Sequence, residues 1–411
     1  MQPSTPKPAK LLRLMSPIRV TRAARIPDLL RISRCRKAPE LGPVILFFSG
    51  GSALNGLSRA IKGYTHNSIH MVTPFDSGGS SAKLRDAFAM PSIGDLRSRL
   101  MALADESVTG HPEVYKLFTY RFPRDAKNSD LLKRLQSMRQ GRDPLVNDIS
   151  NPMRRLIRNQ LGYLNNELPR EFDLRGASIG NLILAGGYLN NHHHLDPIIF
   201  LFSKLVGVLG TVRAVVNNNL HLCADLADGS RIIGQHLLTG KEVAPLTSRV
   251  KRLYLSRNNK TYVPAKVEIR KKNRKLIERA EMICYPPGSF YSSLIANFLP
   301  KGVGAAIASS TVPKIYIPNL GRDPEQVGMS MDQSLHTLLE YLRADAGADC
   351  PSEKLLNFVL MDSERGDYLS VVSEKLTRKL GIQVIDTRLV SKRGSPYYDP
   401  ELLVSALLSL I

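Results

Sequence analysis

The chain has no tryptophan, and aromatic residues make up only 6% of its 411 residues. Its four cysteines, Cys35, Cys223, Cys284 and Cys350, lie far apart and match neither a zinc-ligand spacing nor a CxxC pair. This argues against a disulfide scaffold, a zinc module and a dithiol redox site, and it fits a reduced, cytoplasmic setting. No long apolar run is clean. The longest, residues 197–216, is broken by Lys204, Gly207, Gly210 and Arg213, so a buried helix followed by a strand is expected there rather than a membrane span. Neither a Gly-Lys-Ser/Thr phosphate loop nor a strict GxGxxG is present. Acidic residues are also scarce, 36 against 57 Lys and Arg, for a net charge of +21.

That charge is concentrated. Residues 1–40 carry ten Lys/Arg against two Asp/Glu, and residues 249–279 carry twelve against two. A basic stripe can meet nucleic acid or stay a solvated face. No RNP motif, aromatic interleaving or zinc-finger spacing accompanies either stretch, so nucleic acid is not the expected partner. Residues 1–40, with Pro3, Pro6 and Pro8, read as a basic extension, and residues 41–411 read as the folded domain.

Within that domain, three turns share one design. Val44 to Phe48 is continuously apolar, as a strand buried on both faces requires, and Ser49-Gly50-Gly51-Ser52 leads from it into a helix at 54–62. A second strand-like run, residues 68–73, leads through Asp76-Ser77-Gly78-Gly79-Ser80-Ser81 into a helix near Ala82. A third, residues 281–285, leads through Pro286-Pro287-Gly288-Ser289 to Phe290 and Tyr291, then a helix at 294–299. Glycines allow a sharp turn and close approach to a ligand. Serines cap helices and donate hydroxyls. The free amides of a helix start attract phosphate, and Asp76 is a hard oxygen ligand of the kind Mg²⁺ uses beside phosphates. Gly94-Asp95 opens a further helix, where Asp95 can serve as an N-cap or as a second metal ligand. Ser178, Gly180 and Asn181 stand at another small-residue helix entrance. His192, His193 and His194 cannot all face one ion from regular structure and read as a solvated helix end.

The remaining chain alternates strand and helix patterns, with further strands near 314–319, 357–361 and 382–385. This predicts an α/β fold with a mostly parallel, Rossmann-like sheet and helices on both faces. Two additions are expected: a helical insertion near 111–171, and a small antiparallel region near 211–240, where Asp228-Gly229 signals a hairpin.

The ordered motifs GGS, D-x-GGSS-x-x-LR, GDLR, LRG-x-S-I-GN and PGS-x-Y-S-S together resemble the CofD-like superfamily. It includes the 2-phospho-L-lactate transferases and the YvcK-type, gluconeogenesis-factor-like proteins. The motifs are similar above all to divergent bacterial CofD-like proteins of the GAK system. The resemblance covers about residues 43–411. It implies a nucleoside-diphosphate-linked ligand at the strand ends, with Mg²⁺ held by Asp76 and Asp95. Gly50, Gly51, Ser52, Gly78, Gly79, Gly180, Asn181, Gly288, Ser289 and Tyr291 would contact the nucleotide, and Asp76, Ser80 and Ser81 would line the reacting end. The implied activity is transfer of a phospholactyl-type group to an acceptor hydroxyl, and the alternative is a nucleotide-sugar-binding regulator without turnover. A homodimer is left open, and no membrane partner is expected. The chain departs from the family pattern at Ala53, at Ser98 and at Ser77, where a second aspartate is usual.

Overall fold

The computed structural model describes residues 23–107, 110–392 and 394–411. Ten strands form within them: β1 (Ile45–Ser49), β2 (Ile69–Val72), β3 (Thr211–Ala214), β4 (His221–Leu226), β5 (Arg231–Ile233), β6 (Val250–Ser256), β7 (Met282–Tyr285), β8 (Lys314–Tyr316), β9 (Phe358–Met361) and β10 (Gln383–Asp386). Seven of them make one sheet in the order β10-β9-β8-β7-β1-β2-β3, and every neighbouring pair is parallel.

The central strands are apolar throughout because both faces are covered. Ile45 and Phe47 of β1 enter one core with helices Asn55–Ile61, Gly94–Ala102, Ile179–Asn190 and Pro400–Ser409. Leu46 and Phe48 enter the other, with helices Val303–Ser309 and Met331–Ala346. Alternation along a strand sends successive side chains to opposite faces, so one short run serves two cores.

Chain order and sheet order diverge between β1 and β7. From β1 the chain runs outward through β2 to β3, then returns to β7 and runs outward the other way. That is a topological switch point, and ligands of open parallel sheets gather in the crevice at its carboxyl end. The turns after β1, β2 and β7 all leave the sheet there.

The second sheet is antiparallel, β5-β4-β6, with its hairpin at Asp228-Gly229. It differs from the expected region in two ways. The run from Thr211 is the parallel edge strand β3 of the main sheet, paired to β2 through Val212 with His70 and Ala214 with Val72. The third antiparallel strand, β6, comes instead from the basic stretch. It points Lys251 and Arg252 to solvent and buries Val250, Leu253 and Leu255, so its charge conceals a strand periodicity.

The helical insertion forms as Pro112–Thr119, Asn128–Gln140, Pro144–Asn147 and Met153–Glu167. It docks closely on helix Ile179–Asn190: a Cβ added at Gly186 would lie 2.0 Å from the Gln160 carbonyl. Of the basic extension, residues 1–22 lie outside the described residues. Helix Leu29–Lys37, capped by Asp28, lies against the last helix, where the Asp28 amide donates to Ser409 Oγ at 2.8 Å. His192 and His193 close helix Ile179–Asn190 with positive φ, and both side chains are exposed. Among the described residues no helix is long and apolar enough to cross a membrane.

Candidate functional site

A cavity of about 790 Å³ opens over the carboxyl ends of β1 and β2. Of the residues singled out from sequence, Gly51, Ser52, Asp76, Gly78, Gly79, Ser80, Ser81, Asp95, Asn181 and Ser289 line it. Its fabric is tight where the turns meet. Gly79 has φ +50°, a left-handed conformation suited to glycine, and a Cβ on Gly94 would meet Ser81 Oγ at 2.4 Å. Asn181 bridges two walls, accepting from Arg97 Nε at 2.9 Å and donating to Ser80 Oγ at 3.3 Å.

Four of the expected contacts do not reach the cavity. Gly50 is a packing glycine against Ser293, whose Oγ would lie 2.5 Å from an added Cβ, and Gly180 packs likewise on the Phe118 carbonyl. Gly288 stands behind the cavity, its amide donating to Asn319 Oδ1 at 2.7 Å. Tyr291 is buried with its hydroxyl 3.3 Å from the Val250 carbonyl. The third turn also has no free amides at its helix start. Phe290 N donates to Asp323 Oδ2 at 2.7 Å, and Tyr291 N and Ser292 N each donate to Glu325 Oε2 at 2.8 Å. Protein carboxylates thus occupy the position a phosphate would take. Burial, then the neighbouring Asp323, pushes Glu325 up to about 7. Sequence reading missed this pair because it sits some thirty residues downstream, in the loop after β8.

Two buried arginines brace the turns from behind. Arg99 donates to the carbonyls of Gly50 (3.3 Å) and Gly51 (3.0 Å), to Asn55 Oδ1 (3.1 Å) and to Ser58 Oγ (2.7 Å). Arg85 donates to the carbonyls of Phe75 (3.1 Å), Asp76 (2.9 Å) and Leu220 (2.7 Å). Burial lowers each to about 10, which leaves both charged at neutral pH. The arginines of LR and GDLRSR were visible as motif letters, but nothing in their spacing said that they support loops.

The cavity wall is mostly cationic. Lys83, Arg97, Arg121, Arg124, Arg175 and Lys241 face four carboxylates, Asp76, Asp95, Asp173 and Glu242. Asp173 is already committed, paired to Lys83 and Arg175 at 2.8 Å each, and those contacts hold its carboxyl far below the usual range. Arg97, Arg121, Arg124 and Lys241 have no ion pair among the described residues, so the surplus charge is available to an anion. Burial, then the facing Asp76, raises Asp95 to about 7.

The carboxylates suit a hard cation in part. Asp76 Oδ1 accepts from its own turn, Gly78 N at 3.1 Å, and Oδ2 makes no hydrogen bond. Asp95 and Glu242 also present oxygens to the cavity. Among the described residues no group of three His, Cys, Asp or Glu side chains is placed to hold a metal alone. That donor set fits Mg²⁺, which usually takes one or two carboxylates and completes its shell with phosphate and water.

The antiparallel sheet supplies the roof: Gln235, His236, Thr239, Lys241 and Glu242. Sequence reading assigned none of them a role.

The family model described as 2-phospho-L-lactate transferase CofD matches residues 45–392. The chain belongs to the CofD family. Gluconeogenesis factors of Bacillus subtilis and Listeria monocytogenes are similar to it, at 27% identity over 69% of this chain and 69% of their counterpart, and 28% over 68% and 68%. A related Nostoc protein is 28% identical over 80% of this chain and 57% of its own length, so the chain spans little more than half of that relative. The crystal structure of a UPF0052-family protein from Bacillus halodurans matches with a TM-score of 0.65 at 22% identity. It covers 89% of this chain and 99% of that one, and so bears out the α/β fold.

Proposed function

We propose that this CofD-family protein binds a nucleoside-diphosphate-linked small molecule in the cavity and transfers its phosphoryl-linked group to an acceptor hydroxyl, in the manner of a 2-phospho-L-lactate transferase. The observation that carries the reading is the convergence of the Gly51-Ser52 and Gly78–Ser81 turns, with unpaired Arg97, Arg121, Arg124 and Lys241, on one 790 Å³ space at the switch point. Small residues admit phosphates against the backbone, and the cations offset their charge. The hydroxyl oxygen forms a bond to phosphorus while the bridging P–O bond breaks. A nucleoside monophosphate leaves, and the hydroxyl proton passes to a cavity carboxylate. Ser80 and Ser81 donate to the phosphoryl oxygens, and Asp76 and Asp95 would hold Mg²⁺, which neutralises the diphosphate. Catalysis of this kind is mainly positioning and charge stabilisation.

A second reading, a nucleotide-sugar-binding regulator without turnover, is favoured by Ser77 at the position of a usual aspartate and by the relatives named gluconeogenesis factor. Mass spectrometry of small molecules that co-purify with the protein separates the two. A guanosine-linked species that is consumed when acceptor hydroxyls are added supports transfer. A uridine-diphosphate sugar recovered unchanged supports the regulator, and the absence of any nucleotide would count against both.

A further inference from the structure

Ser77 does not leave its position idle. Its Oγ lies 2.8 Å from His236 Nδ1, and the His236 backbone amide donates to the same hydroxyl at 3.2 Å. The hydroxyl proton is therefore free for Nδ1. These two contacts tie the turn after β2 to the segment after β5. Gly234 enters that segment with φ +120°, and a Cβ there would lie 2.9 Å from the His236 ring. Thr239 Oγ1 closes it from the other side, donating to the His236 carbonyl at 3.2 Å.

The clamp sets where the next residues fall. A Cβ built on Gly78 would meet Glu242 Oε1 at 2.7 Å and Asp76 Oδ1 at 3.5 Å. The Asp76 and Glu242 carboxylates thus crowd one point above the Gly78-Gly79 turn, although 166 positions of chain, by subtraction of the residue numbers, separate them. Glu242 is exposed and has no hydrogen bond or ion pair among the described residues, even with Lys241 beside it in sequence. An exposed carboxylate aimed at another carboxylate over a helix start is unfavourable unless a cation joins them. Trans oxygens around Mg²⁺ stand about 4 Å apart, a span these side chains reach by rotation alone. The independent sign of a ligand at this point is the surrounding set of unpaired cations, which calls for phosphate beside the metal.

We propose that Glu242, brought in from the antiparallel sheet and positioned by the Ser77–His236 clamp, is the second carboxylate of a Mg²⁺–diphosphate site with Asp76. This rests on the nucleotide-binding reading above. Ser77 is then a positioning residue: it supplies no oxygen to the metal but fixes the segment that does. Gly78 must lack a side chain because the Glu242 carboxylate occupies the space of its Cβ.

The test is calorimetric titration of GDP and of UDP, in Mg²⁺ and in EDTA, into wild type, Glu242→Gln and Ser77→Ala, with Mn²⁺ binding read by electron paramagnetic resonance. Wild type should bind one of the nucleotides at least about tenfold more tightly with the metal. Glu242→Gln should lose most of that gain while its EDTA affinity holds or rises, because a negative charge has gone. Ser77→Ala should lose part of the gain, and should also mobilise the His236 imidazole resonance. A metal gain in Glu242→Gln equal to wild type would overturn the proposal and leave nucleotide binding intact, as would wild-type binding indifferent to metal. If neither nucleotide binds wild type under any condition, the underlying reading fails and the proposal with it.

Discussion

Replacing Arg99 with methionine should damage stability and ligand binding together. The guanidinium is fully buried and makes four hydrogen bonds, two to the Gly50 and Gly51 carbonyls and two to Asn55 and Ser58. Hydrogen bonds from a charged donor contribute about 1.5–3 kcal/mol each when the acceptor is left unsatisfied. The variant no longer has to bury a charge, which offsets part of the loss. A net destabilisation of about 3–5 kcal/mol remains, the range found when one partner of a buried charged contact is removed. Arg99→Lys should fall between, since one ammonium cannot span acceptors on both sides of the turn. Urea denaturation followed by circular dichroism reads the stability. Nucleotide titration under native conditions reads the site, where the released Gly50-Gly51 turn should weaken binding in Arg99→Met more than in Arg99→Lys. A methionine variant as stable as wild type, with unchanged affinity, would refute the claim that Arg99 holds the turn.

Asp76→Asn keeps the local turn hydrogen bond but removes the charge that holds a hard cation. It should fold normally, melt within about 1 kcal/mol of wild type, and lose the Mg²⁺ dependence of nucleotide binding in calorimetry. Gly94→Ala should push Ser81 aside, because the new Cβ would otherwise lie 2.4 Å from its hydroxyl. Ligand affinity should drop at least about tenfold for one lost phosphate contact, and unchanged affinity would show that Ser81 is not a contact. Acid should destabilise the fold through His70. Burial, then Arg99, holds its imidazole well below the ordinary value, so it stays neutral when folded while the unfolded chain takes up a proton near pH 6.5. Stability attributable to it is therefore constant above that pH and falls by about 1.4 kcal/mol per pH unit below it. His70→Gln should flatten that slope in denaturation curves measured between pH 7 and pH 5.

The sheet was legible because its strands are short apolar runs separated by helical periods, and the Gly/Ser turns marked their carboxyl ends. Gly51, Ser52, Gly78–Ser81 and Asp95 reached the cavity because local chemistry, a helix entrance after a buried strand, placed them there. Three things were not legible. β6 was hidden because its solvent face is Lys and Arg, which read as a charge run until Leu253 and Leu255 are seen to be buried. The third turn resembled the other two, but its amides are taken by Asp323 and Glu325, and no local pattern announces a partner in the next loop. The roof residues His236 and Glu242 meet Ser77 and Gly78 only through packing of the antiparallel sheet against the main one. Such contacts between distant segments leave no periodicity in either segment.

The central claim is that one diphosphate lies against the turns after β1 and β2 at the switch point of the sheet. A crystal structure of the protein grown with Mg²⁺ and the nucleotide that calorimetry selects tests it directly. The account predicts phosphate oxygens within hydrogen-bond distance of the Gly51-Ser52 and Gly79–Ser81 amides or hydroxyls, with Arg97 alongside and no phosphate at the Phe290–Ser292 amides. A nucleotide bound elsewhere on the molecule, or seated on the third turn with Glu325 displaced, would contradict it.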